Sequence, residues 1–164
     1  MTTSEPSVRD RYRYWDTVRL ELEQVLDRVD RETFDWKPVD HPKVRSIGDL
    51  VRHLCDGESY WVERVIHGKE WIRHTRELYP DPESTLQRWR QLRAQTIAWI
   101  DGLSPSRLRE TKIDHRGNLV TIDWILWHVF QHEAHTRGQI FQLLRLRRPD
   151  RPSLLEEGPP RISP

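Results

Sequence analysis

Apolar residues recur at three- and four-residue spacing in four separate stretches of the chain. From about Arg9 to Val29, the positions Tyr12, Trp15, Val18, Leu22, Val25, Leu26 and Val29 fall on one stripe, which predicts an amphipathic helix. Arg31 to Arg45 holds Pro38 and Pro42 without a sustained period and reads as a connection. Ser46-Ile47-Gly48-Asp49 then has the form of a capped helix start, with Ser46 as N-cap and Asp49 reaching back to it. That second helix runs to about His67, where Gly68 stops it, and its inward stripe is Ile47, Leu50, Leu54, Trp61 and Val65, with His53 close to the same side. Asp81-Pro82-Glu83 announces a third helix, because Asp caps, Pro fits the first helical position and Glu meets the positive end of the dipole. It continues through Leu86, Trp89, Leu92, Ile97 and Ile100 to Gly102, with a short helical turn at Ser104-Pro105. Thr111 to Val120 reads as a small hairpin or loop with a polar tip, and Thr121 opens the last long helix, which ends at Arg147-Arg148-Pro149. Four long helices with one long crossover predict an all-α four-helix bundle. Residues 1–148 form its single domain, and residues 149–164 are a Pro-rich tail.

Composition changes this picture in one respect. Of 164 residues, 35% are hydrophobic and 32% charged, while eight are Trp, so aliphatic side chains alone cannot fill the interior and the indoles must contribute to it. Trp15, Trp61, Trp124 and Trp127 stand at core-type spacing and read as filling, with one or two free to line a cleft. The balance of 27 basic and 26 acidic side chains argues against nucleic acid or an anionic membrane surface as partner. No window is long and apolar enough to span a bilayer. Met1 to Pro6 lacks the apolar stretch of a secretory signal, and the single Cys55 suits a reducing compartment; a cytoplasmic protein is the expectation. Cys55 points about 160° away from His53 on the same helix and reads as a structural thiol.

Chemistry is concentrated in the last helix. His128, His132 and His135 are spaced by four and three residues, and at 100° per residue they cover about 60° of the helix circumference, with Gln139 inside the same arc. Val129, Leu126, Ile140 and Leu143 place that arc near the core. Partly buried imidazoles each need a polar partner, and one metal ion satisfies several together. His53, midway along the second helix, is the candidate from a neighbouring element, and a three-nitrogen site of this kind leaves positions open for water or substrate. Of the nearby carboxylates, Glu133 points about 100° away from His132 and reads as a solvated charge, whereas Glu58, about 140° round from His53, is placed to meet a neighbouring helix. In Arg137-Gly138, Gly reads as allowing close helix approach and Arg as forming an ion pair.

Trp36-Lys37-Pro38, Ser46-Ile47-Gly48-Asp49-Leu50-Val51-Arg52-His53, Glu58 and Trp61, Asp123-Trp124-Ile125-Leu126-Trp127-His128 and His132-Glu133-Ala134-His135-Thr136-Arg137-Gly138-Gln139-Ile140 together resemble the DinB-like (DinB/YfiT) family of metal-binding four-helix bundles over nearly the whole chain. The resemblance implies an up-down-down-up bundle, frequently a homodimer, with a divalent metal, nickel or zinc, held by one histidine of the second helix and two of the fourth. Matching positions are His53 and His132. Many relatives have histidine four residues after the first ligand of the fourth helix; here that residue is Thr136. His135 is therefore the first candidate for the third ligand and His128 the second, with Gln139 able to contact bound water. Relatives include transferases acting with low-molecular-weight thiols. The expectation is thus a metal-dependent enzyme on a small-molecule substrate, a thiol transferase ahead of a hydrolase. The other readings are a non-catalytic, stress-related metal-binding protein and a plain helical dimerisation module.

Overall fold

The computed structural model describes residues 6–148. Within them the chain forms helices α1 (Val8–Arg11), α2 (Tyr14–Leu26), α3 (Arg31–Asp35), α4 (Ile47–Glu58), α5 (Pro82–Asp101) and α6 (Ile122–Arg147), with a hairpin of β1 (Thr111–Ile113) and β2 (Leu119–Thr121) before α6. The fold is all-α apart from that ribbon, whose strands pair antiparallel with Lys112 opposite Val120. The Pro-rich tail, 149–164, lies outside the described residues. No helix among the described residues is long and apolar enough to cross a membrane.

The helix starts follow their local chemistry. Ser46 and Asp49 close a reciprocal capping box on α4, Asp81 caps α5 with Pro82 in its first turn, and Thr121 caps α6. Differences from the sequence reading have local causes. The first predicted helix is broken at Tyr12–Arg13, because the Tyr12 hydroxyl donates to the Asp123 carbonyl at 3.1 Å and Arg11 pairs with the Asp123 carboxylate at 2.8 Å, tying this corner to the start of α6. The Pro-containing connection includes α3, too short to show a period, which buries Phe34 completely. Beyond Glu58, α4 continues as a π-helical stretch over Ser59–Ile66, and Gly68 ends it at a φ of +69°. Residues 67–81 then make the crossover to α5, held down by buried His74, whose backbone N–H donates to Asp56 at 2.6 Å.

Two apolar clusters fill the bundle. One gathers Leu22, Phe34, Leu54, Trp89 and Ile140, and the other Trp15, Ile66, Ile100, Leu126 and Val129. Between them, along every long helix, stands a buried charge: Arg19 of α2, Glu58 of α4, Arg93 of α5 and Glu133 of α6. Arg19 reaches Glu133 at 3.0 Å; Arg93 grips Glu58 through two hydrogen bonds of 3.0 and 3.1 Å and reaches Glu133 at 2.5 Å. The guanidinium of Arg19 lies over the Trp89 ring and that of Arg93 over Trp15. The tryptophans consequently divide. Trp15 and Trp89 are core, whereas Trp124 and Trp127, expected as filling, are 38% and 49% exposed.

Candidate metal centre

Two of the predicted histidines face each other across the α4–α6 contact. His53 and His132 approach to 2.9 Å between their Nε2 atoms, with the rings edge to face. One Nε2 carries a proton and donates to the bare Nε2 of the other, so the accepting ring is neutral in this arrangement. Gly57, one turn beyond His53, makes the approach possible: a Cβ there would lie 2.8 Å from His132 Nδ1 and 2.9 Å from its Cε1. Close approach is therefore the work of Gly57 and not of Gly138, around which a Cβ would meet nothing within 4 Å.

The other two histidines of α6 have different partners. His128 is stacked on Trp124 at 4.8 Å between ring centroids, and its plane is parallel to that of His132 at 6.3 Å. His135 is exposed, its Nε2 3.2 Å from the Gln139 amide nitrogen. Thr136 is buried. Among the described residues, no group of three or more His, Cys, Asp or Glu side chains converges in a metal-ready arrangement; what the fold assembles is the pair.

The pair itself suits a divalent ion. With metal–nitrogen bonds of about 2.0–2.1 Å, two nitrogens stand about 2.9 Å apart at a right angle and about 3.3 Å apart at the tetrahedral angle, so the 2.9 Å His53–His132 separation matches the first and is a few tenths of an ångström short of the second. Neutral imidazole is the form that ligates, and the site favours it. Burial, followed by the charges of His53, His128, His135 and Arg45, pushes the His132 pKa down to about 4. Burial and the positive field of Arg45 and Arg73 lower His53, with Asp56 opposing. Burial alone lowers His128.

The depressed value for His132 fixes a pH dependence. The unfolded chain takes up a proton on this residue near pH 6.5 and the folded chain only near pH 4, so lowering pH through that window favours unfolding. Thermal melts of the metal-free protein are expected to show stability falling from pH 6.5 to 4. His132→Gln should flatten that slope; identical pH profiles for the two proteins would place the proton uptake elsewhere.

The carboxylates near the pair are committed to other work. Glu133, expected in solvent, is 2% exposed because Arg19 and Arg93 neutralise it inside the bundle. Burial would raise the Glu58 pKa, but the Arg93 charge and hydrogen bonds, with Arg19 behind them, hold it below the usual carboxylate range. Asp56 accepts from the His74 backbone and contacts its Nδ1 at 3.1 Å, while Arg88 occupies His74 Nε2 at 3.1 Å. Arg137 pairs with Glu21. Cys55 is buried, and burial together with the Glu58 charge pushes its thiol up to about 12, so it is no nucleophile at neutral pH.

Sequence reasoning did not single out Gly57, Arg19, Arg93 or His74. Gly57 left one signal, a mid-helix glycine one turn after a candidate ligand, since such a residue costs about 1 kcal/mol relative to Ala and usually answers to close packing. The arginines left none, because a lone Arg on an amphipathic helix is indistinguishable from a solvated one until its neighbours are known.

The DinB superfamily profile matches residues 14–140, and the chain belongs to that superfamily. No curated protein matches the sequence.

Proposed function

We propose that His53 and His132, joined by His135, hold a divalent transition metal, nickel or zinc, and that the protein is a metal-dependent transferase using a low-molecular-weight thiol. The observation that carries this reading is the 2.9 Å approach of two imidazole nitrogens from separate helices. Imidazole donors suit zinc, nickel and copper, and disfavour calcium and magnesium. A divalent ion held there supplies a Lewis acid that lowers the pKa of a coordinated thiol or water toward neutrality. His135 is the proposed third ligand because it lies one turn beyond His132 and its present partner is the neutral amide of Gln139. His128 is the alternative, at the cost of its stacking on Trp124.

The surrounding residues favour thiol transfer over hydrolysis. Activating water calls for a base to take its proton, and Asp56, Glu58 and Glu133 are all engaged by His74 or by arginines. A thiol needs less help, since its free pKa of about 8.5 is already close to neutrality. Hydrolysis and metal binding without turnover are the competing readings.

Metal analysis of the untagged protein tests the site. About one equivalent is expected in the parent, loss of at least 90% in His53→Ala and in His132→Ala, and a smaller loss in whichever of His135→Ala and His128→Ala removes the third ligand. Retained metal in both of the first two variants would sink the proposal. Thiol consumption with bacillithiol, mycothiol or glutathione and a model electrophile then tests the reaction, and no metal-dependent consumption would remove the transferase reading.

A further inference from the structure

A cavity of about 220 Å³ lies away from the histidine pair, where the π-helical stretch that continues α4 passes α5. Glu58, which lines it, stands about 140° round the helix from His53. Glu58, Val62, Leu92 and Thr96 form a floor, each at most 4% exposed. Trp99 and His67 make one wall, edge to face at 5.1 Å between ring centroids. Gln95 and Lys69 stand at the rim, where the Lys69 side chain is 61% exposed, with Glu63 beside them.

The polar side chains of the floor are acceptors. Arg93 approaches Glu58 from outside the lining and gives one hydrogen bond to each oxygen, 3.0 Å to Oε1 and 3.1 Å to Oε2. An ionised carboxylate accepts about four such bonds, so each oxygen can take another. The Thr96 hydroxyl spends its single proton on the Leu92 carbonyl at 3.1 Å, and its oxygen is left to accept.

We infer that this cavity binds a small primary amine as its ammonium ion, with a short apolar or aromatic body, at a site separate from the histidine pair. The inference does not depend on the transferase reading. Acceptors at the floor call for a donor at the inner end of the occupant, and a buried cation needs the pairing and hydrogen bonds that Glu58 and Thr96 offer. The lining residues carry two carboxylates, Glu58 and Glu63, against the one ammonium of Lys69 out at the rim. The guanidinium groups of Arg93 and Arg88 that pair with those carboxylates stand outside the lining, so the carboxylate oxygens are the charges nearer to an occupant. His67 adds no positive charge, because burial, followed by Lys69, Lys112 and Arg107, lowers its pKa, with Glu63 opposing. Val62 and Leu92 take the apolar body, and an indole wall attracts a cation within about 6 Å of the ring. Size restricts the ligand further: an engineered cavity of about 150 Å³ holds benzene, whereas drug-sized ligands occupy about 300–1,000 Å³.

The test is an NMR titration of the full-length, ¹⁵N-labelled protein with phenethylamine, 2-phenylethanol and 3-phenylpropionate, which share a ring and differ in the charge of the arm. Phenethylamine is expected to bind saturably at millimolar concentration, at least fivefold more tightly than the alcohol, with shifts confined to residues 58–69 and 92–99; the carboxylate should not saturate. Thr96→Val, which removes a floor acceptor without changing charge or shape, and Trp99→Leu, which removes the ring, should each weaken binding at least threefold, with melting curves confirming that both fold. His53→Ala should bind the amine as the parent does. No saturable binding of phenethylamine, or equal affinity for the three compounds, overturns the inference. So does retention of full affinity in both cavity variants. Loss of binding in His53→Ala overturns it too, since the amine would then be coordinating a metal at the histidine pair.

Discussion

Replacing Arg93 with methionine is expected to cost about 3–5 kcal/mol of stability, the usual penalty for removing one partner from a buried ion pair. Among the described residues, Arg93 is the one cation that touches both Glu58 and Glu133, and both carboxylates are almost wholly withdrawn from water. Without it, among the described residues, Glu58 keeps no direct cationic partner and Glu133 keeps only Arg19. The sign of the pH effect identifies the mechanism. In the parent, Glu58 has a lowered pKa, so its contribution is present at neutral pH and is lost on acidification. In Arg93→Met the orphaned carboxylates have raised values, so acidification protonates them in the folded state and relieves the penalty. Urea denaturation at pH 8 and pH 5.5 should therefore show the deficit shrinking as pH falls. A loss below 1 kcal/mol, independent of pH, would mean that water reaches the cluster.

Gly57→Ala is expected to weaken metal binding at least tenfold while leaving the fold as stable as before or more so. Alanine in place of a mid-helix glycine favours the helix by up to about 1 kcal/mol. The added methyl, however, stands 2.8 Å from His132 Nδ1, closer than carbon and nitrogen tolerate, so the imidazole must turn away and the Nε2 atoms lose their 2.9 Å approach. Changes of this kind behind a ligand commonly cost about 10–100-fold in affinity. Competition with a chromogenic chelator, paired with a thermal melt, separates the effects. Unchanged affinity would show that His132 is not a ligand in this orientation. A large fall in melting temperature would show instead that the α4–α6 contact has opened.

The helix starts were readable because capping is local. Ser46 with Asp49, Asp81 with Pro82, and Thr121 each act on backbone N–H groups within three residues, and that chemistry is spelled out in consecutive letters. The hairpin before α6 was readable for the same reason. Less legible was the break between α1 and α2, because it depends on Asp123, more than a hundred residues away. The π-helical stretch gave no sign either: Ser59–Ile66 has an apolar pattern that suits an α-helix equally well.

At the candidate site the division is sharper. The sequence determined that histidines would share one side of α6 and that His53 would face inward, since both follow from the angular step of a helix. Only the tertiary structure decided that His132 meets His53 while His128 stacks on Trp124 and His135 turns to Gln139. The same holds for charge. Periodicity places Glu133 off the histidine face, but whether that direction leads to water or to two arginines depends on which helices lie there. Helical position is a one-dimensional property that residue spacing carries. The environment a side chain points into is created by other segments, and no local pattern encodes it.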